Sequence, residues 1–391
     1  MGRTRKVKCC VTILNKFGAT HPSITGRSAG ELADFLYAQN IDVRIISIKA
    51  AYKGKCADTD RALPFQAVEL KGLYNGCNKY ARLLTNLIDG FRLVLASLSG
   101  RRDDAKIVMT DPSLINIWAV LFRPFYRSKL IFWTMDLYPD AFRAAGLVSQ
   151  SNLLYRMLSS IVYHLPPDYL IALGTQQYNY LSEKYGKEIP CALLPCGINR
   201  IETPKDLPWW KQKYQDKIIL CYAGNLGEAH DACFLQELID QLDPERYVML
   251  LALYGAKAVG ILQSANQHSG IVLLDYISPE QLAFVDVNIA SLLPDWNHVC
   301  VPSKVVSAIC AGSPVLYNAS NMSEGYCMFK DAVWLMPKDA DYFVRVAEFY
   351  NKLNKASIGQ KKKNASAYAC QLQDMRKKAF EDILEYCLYD V

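Results

Sequence analysis

The feature that most restricts the fold of this chain is an alternation. Short, nearly unbroken apolar runs are each followed by a longer segment of helical periodicity. In the first half the runs are VKCCVTIL (7–14), DVRIISI (42–48), AKIVMT (105–110), SKLIFWTM (128–135), YLIALG (169–174) and CALLP (191–195). In the second half they are KIILCYAG (217–224), YVMLLALYG (247–255), IVLLDY (271–276), VNIASLL (287–293) and PVLYN (314–318). A strand that is apolar on both sides of its pleat must be covered on both faces. Helices between successive strands achieve this when the strands run parallel. The alternation therefore predicts an α/β chain of two doubly wound domains. It breaks at NRIETPKDLPWWKQKYQD (199–216), where two prolines sit among charged residues, and we place a linker there. The expected division is a first domain 1–198, the linker 199–216, a second domain 217–340, and a helical segment 341–391 packing back toward the first domain.

Composition narrows the function classes. The chain has 391 residues, 51% of them hydrophobic, which is too apolar for a disordered protein. Its net charge of +6 conceals a split: residues 1–200 hold 26 basic and 15 acidic side chains, and residues 201–391 hold 18 and 23. A basic half points to an anionic partner, or else to lysines scattered by drift. The 13 cysteines include no C-x-x-C pair, which argues against a disulfide framework or structural zinc and for reduced thiols in the cytoplasm. The N-terminus MGRTRKVKCCVTIL lacks the apolar core of a signal peptide. No run reaches the roughly 18–20 apolar residues of a membrane span.

Doubly wound sheets bind ligands outside the carboxyl ends of their strands, near helix starts. Three strand ends carry candidate chemistry. CYAGNLGEAHD (221–231) places Gly224, Asn225 and Gly227 in a turn whose backbone can approach a phosphate, although structural turns use the same spacing. In WNHVCVPSKVVSAICAGSPVLYN (296–318), Pro302 and Ser303 suit a helix opening. Lys304 then falls in the first turn, where a cation is disfavoured unless an anion joins it. FWTMDLYPD (132–140) sets Asp136 at a strand end, either as a base for a hydroxyl or as a turn residue capping a helix.

Together these segments resemble bacterial glycosyltransferase family 4, nearest to the enzymes that build capsule, O-antigen and exopolysaccharide repeats on a lipid carrier. HPSITGRSAGELADFLYAQNIDVRIISI, YLIALGTQQYNYLSEKYG, LLPCGIN and ISPEQLAF extend the likeness over nearly the whole chain. The resemblance implies the GT-B fold: two Rossmann-like domains, an interdomain cleft and a C-terminal helix crossing back. It implies a nucleotide-sugar donor, UDP- or GDP-linked, with no metal and no other cofactor. Gly224, Asn225 and Gly227 would face the donor phosphates, Pro302, Ser303 and Lys304 would hold the diphosphate, and Tyr276 and Ile277 would border the base. Thr25, Gly26 and Arg27, expected in the loop after the first strand, would close over the sugar phosphate or acceptor. Asp136 would serve the acceptor. The resemblance further implies retention at the anomeric carbon and a polyprenyl-diphosphate-linked acceptor.

One departure stands out. The paired glutamates of many relatives fall here at Val299 and Ser307, so a ribose contact rests on Ser307 alone, and a non-catalytic module binding a glycan or partner enzyme becomes the alternative. An NAD-dependent oxidoreductase lacks its glycine fingerprint in this chain. The triplet Asp58-Thr59-Asp60 mimics a D-x-D metal motif but lies in an irregular stretch, and no His/Cys/Asp cluster has metal spacing. The segment 78–102 spaces Leu84, Leu87, Ile88, Phe91, Val94, Leu95 and Leu98 as a helix face, with Arg82, Arg92, Arg101 and Arg102 beside it. Such a helix either packs on the sheet or lies on an anionic membrane, here the inner face of the cytoplasmic membrane. FRPFYRSK (122–129) has interfacial composition too, and no nucleic-acid motif accompanies it.

Overall fold

The computed structural model describes residues 9–49, 62–74, 79–99, 102–199, 206–338 and 341–389. The chain divides into two units, Met1–Cys196 with Lys377–Val391, and Gly197–Arg376. Asp58-Thr59-Asp60, Arg101 and residues 200–205 of the expected linker lie outside the described residues.

Unit 1 holds seven strands: β1 (Cys10–Leu14), β2 (Asp42–Lys49), β3 (Gln66–Lys71), β4 (Ala105–Val108), β5 (Lys129–Trp133), β6 (Tyr169–Ala172) and β7 (Cys191–Leu193). Every pairing is parallel, in the order β3-β2-β1-β4-β5-β6-β7. Unit 2 holds β8 (Ile218–Asn225), β9 (Tyr247–Tyr254), β10 (Ile271–Leu273), β11 (Val287–Ser291), β12 (Val315–Asn318) and β13 (Val333–Leu335). Its order is β10-β9-β8-β11-β12-β13, again all parallel. Each sheet reverses direction once, between β1 and β4 and between β8 and β11. At such a reversal neighbouring loops leave to opposite faces and open a ligand crevice.

Two-residue periodicity explains the unbroken apolar strands. In unit 2, Leu220, Tyr222, Tyr247, Met249 and Leu251 face one core with Phe234, Leu238, Phe349 and Tyr350. The intervening Ile219, Cys221, Val248 and Leu250 face the other with Trp210, Ile277 and Leu282. Full burial of each such side chain contributes about 1.5–3 kcal/mol, so both faces must be covered.

The segment expected to form one C-terminal piece divides. Helix Tyr342–Lys352 places Val346, Phe349 and Tyr350 in the core of unit 2. The last helix, Lys355–Leu388, belongs to unit 2 up to Arg376 and to unit 1 from Lys377. There Phe380 meets Phe35 at 5.3 Å and Tyr386 stacks on Tyr169 at 4.3 Å. Part of the expected linker is helical, Trp209–Lys213, because Trp210 is buried in unit 2. The first helix, Ile24–Ala38, starts directly after Ser23, which caps it by accepting from the Gly26 N–H at 3.1 Å. Thr25, Gly26 and Arg27 therefore lie in its first turn and not in a loop.

Unit 1 also buries charge. Asp103 accepts from Thr12 at 2.8 Å and from Arg44 at 3.1 Å, and binds Lys106. The two cations also donate to carbonyls of Ser97 and Ser99, at the end of helix Lys79–Leu98. The partners satisfy the buried charges and tie that helix to three strands.

Candidate functional site

Unit 2 gathers its candidate residues where its sheet reverses. β8 ends at Asn225, and Gly224 before it has φ +114°. A Cβ on Gly224 would stand 3.2 Å from Lys304 Cε, so the bare glycine leaves room for the lysine stem to cross the strand end. Lys304 lies in the first turn of helix Ser303–Cys310, whose start at Pro302 has no side-chain cap and no acidic residue. Its ammonium donates to Asn225 O at 2.7 Å and to His230 Nε2 at 2.9 Å, and lies 5.1 Å from the Tyr222 ring centre. None of these partners is charged, and desolvation pushes the lysine down to about 7. A desolvated cation beside a helix start without a side-chain cap attracts an anion.

The loop around Lys304 is tied from below. Leu226 N donates to Tyr254 O at 2.7 Å, and Lys257 N to Leu226 O at 3.1 Å. Lys257 Nζ reaches Glu228 O at 3.0 Å and His230 O at 2.8 Å. Gly255, at φ +112°, lies where a Cβ would stand 2.2 Å from Asn225 Oδ1. The sequence reading missed Gly255 and Lys257; the signal was the Gly-Ala-Lys turn closing the run 247–255.

The other expected donor residues fare differently. The Asn225 side chain packs against Gly227 and Gly255, leaving its carbonyl as the group that meets Lys304. Tyr276 is exposed, whereas the Ile277 side chain is buried in the core, so Ile277 has only its backbone to offer a base. Ser307 donates to Gly197 O at 3.0 Å and accepts from Asn199 at 3.3 Å. Its hydroxyl proton is therefore committed, and Val299 is buried at 2% exposure.

Unit 1 has a matching constellation at its own reversal. Asp136, three residues past β5, donates its backbone N–H to Thr110 Oγ1 at 3.2 Å. It borders a cavity of about 20 Å³, also lined by Asn116, Trp133, Tyr138 and Tyr163. Burial first, and then the Asp111 carboxylate, push Asp136 up to about 7. Asp111 follows β4, accepts from Thr25 Oγ1 at 3.2 Å, and is itself raised by burial. Lys16, just past β1, donates its backbone N–H to Asp111 O at 2.7 Å and its ammonium to Asn86 at 2.7 Å. The structure thus brings Thr25 and Asp111 together and sets Asp111 electrostatically against Asp136. Gly26 is required by packing, since a Cβ would lie 2.7 Å from Gly18 O. Arg27 is exposed. Lys16 and Asp111 were missed, although Asp111 directly follows an apolar run, as Asp136 does, and Lys16 stands two residues past one.

Of the membrane candidates, Arg82 and Arg102 are exposed, and Arg92 pairs with Asp89 at 2.8 Å. The apolar stripe of helix Lys79–Leu98 splits: Val94 is buried, whereas Leu84, Ile88 and Leu95 are exposed. Among the described residues no helix is long and apolar enough to cross a membrane. Among them, too, no disulfide forms, and no group of three His, Cys, Asp or Glu side chains is placed to hold a metal ion.

No family model and no curated protein sequence matches the chain. Solved structures do. Sucrose-phosphate synthase from Thermosynechococcus elongatus superposes with a TM-score of 0.75 at 14% identity, covering 97% of this chain and 99% of that one. WaaG, a glycosyltransferase involved in lipopolysaccharide biosynthesis, gives 0.67 at 15% identity over 96% and 99%. Anabaena HepE, in complex with UDP and glucose, gives 0.65 at 12% identity over 96% and 100%. At these identities the likeness speaks for architecture, and with two all-parallel, Rossmann-like units along one chain it shows that this protein has the GT-B fold.

Proposed function

We propose that the chain is a retaining, metal-independent glycosyltransferase of family 4. It transfers a hexosyl or N-acetylhexosaminyl group from a UDP- or GDP-sugar to a saccharide carried on polyprenyl diphosphate, in the synthesis of capsule, O-antigen or exopolysaccharide. The observation that carries this reading is the Lys304 ammonium, held by neutral groups beside an uncapped helix start. Such a site favours a diphosphate, and it favours it more as negative charge builds on the leaving group. Anabaena HepE, of the same fold, is in complex with UDP and glucose. In unit 1, a carboxyl near neutrality suits transient capture of an acceptor hydroxyl proton.

Membrane contact belongs to the same reading. Besides Leu84, Ile88 and Leu95, unit 1 exposes Phe125, Leu153, Leu154 and Met157, with Arg82, Arg127 and Arg156 exposed among them. Apolar side chains interleaved with arginines suit the cytoplasmic face of an anionic bilayer. A second reading, a non-catalytic GT-B module binding a glycan or partner enzyme, is favoured by the committed Ser307 hydroxyl and the buried Val299.

Incubation with UDP-, GDP- and TDP-sugars and a lipid-linked acceptor tests the proposal. Transfer from one donor is expected. Nucleotide binding without transfer would keep the donor assignment and overturn the acceptor, and neither binding nor transfer would overturn the donor assignment and favour the second reading.

A further inference from the structure

His230 lies between β8 and helix Ala232–Asp240, beside the Lys304 ammonium. The residue is 9% exposed. Its Nδ1 lies 2.6 Å from Ser291 O, at the end of β11. A carbonyl only accepts, so Nδ1 carries the proton and Nε2 carries the lone pair. Nε2 faces Lys304 Nζ at 2.9 Å, and the lysine must therefore donate. A second lysine N–H goes to Asn225 O. An ammonium has three N–H bonds, so one remains, in a direction set by the other two.

We propose that His230 is a positioning residue: its neutral imidazole, locked in one tautomer by Ser291, aims the remaining N–H of Lys304 at an anion on the start of helix Ser303–Cys310. Burial keeps the ring neutral, helped by two cations, Lys304 on Nε2 and Lys257, whose ammonium sits on the His230 carbonyl. The imidazole therefore stays an acceptor through the range in which an ordinary histidine would protonate. Glutamine can copy the arrangement, donating from its amide NH₂ to Ser291 O and accepting on its carbonyl from Lys304. Leucine can do neither. The identity of the anion as a nucleoside diphosphate rests on the donor reading above; the positioning role does not.

The test measures UDP and inorganic pyrophosphate binding by calorimetry for His230→Gln and His230→Leu, each with Lys304 present and in a Lys304→Ala background. With Lys304 present, the Gln variant should stay within about threefold of wild type and the Leu variant should lose about tenfold or more, the worth of one charge-assisted hydrogen bond. In the Lys304→Ala background, Gln and Leu should be alike. Equal losses for both with Lys304 present, or a Leu effect that persists without Lys304, would overturn the role. Nitrogen NMR of the His230 ring gives a readout that needs no ligand. A neutral ring protonated on Nδ1 is expected from about pH 5 to about pH 8, and an Nε2–H tautomer or an imidazolium in that range would overturn the inference. If wild type bound neither UDP nor pyrophosphate, the donor reading would fail, and the ring tautomer would decide the positioning role alone.

Discussion

Replacing Asp136 by Asn removes a carboxyl whose pKa lies far from its ordinary value. Burial, reinforced by Asp111, lifts it from 3.8 to about 7. A raised acid binds its proton more tightly folded than unfolded. Its burden on stability is therefore absent below about pH 4, grows as the pH rises, and is complete above about pH 7. Three units at about 1.4 kcal/mol each set a ceiling of about 4 kcal/mol. Asp136 keeps part of its surface, and solvent screening brings the figure to roughly 2 kcal/mol. For a unit of this size, each kcal/mol moves the melting temperature by about 2–4 °C. Asp136→Asn should thus melt roughly 4–8 °C above wild type at pH 8 and within about 1 °C of it at pH 4. Scanning calorimetry of both proteins at both pH values supplies the numbers, while a transfer assay should show lost activity with UDP or GDP binding intact. An offset equal at the two pH values, or an Asn variant that melts lower at pH 8, would refute the electrostatic reasoning.

Three further expectations follow from the same structure. Nucleotide binding should take up a proton, because an anion favours the ammonium form of Lys304, which is pushed down to about 7. Affinity should fall as the pH rises through that value, and calorimetry at pH 8 in two buffers of different ionisation enthalpy should give different heats; identical heats would exclude proton uptake. Asp103→Ala should cost about 3–5 kcal/mol in urea unfolding, since it leaves Arg44 and Lys106 buried without their carboxylate; a loss under about 1 kcal/mol would mean the charges are solvated. Gly255→Ala should cost about 1–3 kcal/mol and weaken nucleotide binding, because φ is +112° and the new Cβ would strike Asn225. Gly260→Ala, where a Cβ meets nothing within 4 Å, is the control and should do neither.

Local periodicity is written in the chain, so the elements themselves were legible. The run 169–174 becomes strand Tyr169–Ala172, and the run 247–255 becomes strand Tyr247–Tyr254. Helix Glu324–Phe329 and strand Val333–Leu335 escaped because six and three residues are too few to show a period. Lys304 and Asp136 could be marked from sequence, since each violates or ends a local pattern: a cation at a helix start, an acid after an apolar run.

Strand order was not legible, because parallel pairing joins segments far apart in sequence. Only that order places β1 beside β4, bringing Lys16 and Thr25 to Asp111, and β8 beside β11, bringing His230 between Ser291 and Lys304. The charge of a side chain was likewise undecided. Aspartate 136 and lysine 304 are ordinary ions in an unfolded chain, and each is drawn toward neutrality only by the burial that folding imposes. The sequence by itself determined two parallel α/β sheets and the residue types at their strand ends. The tertiary structure decided which of those residues meet and in which protonation state, because desolvation and long-range hydrogen bonds exist only once the sheets have formed.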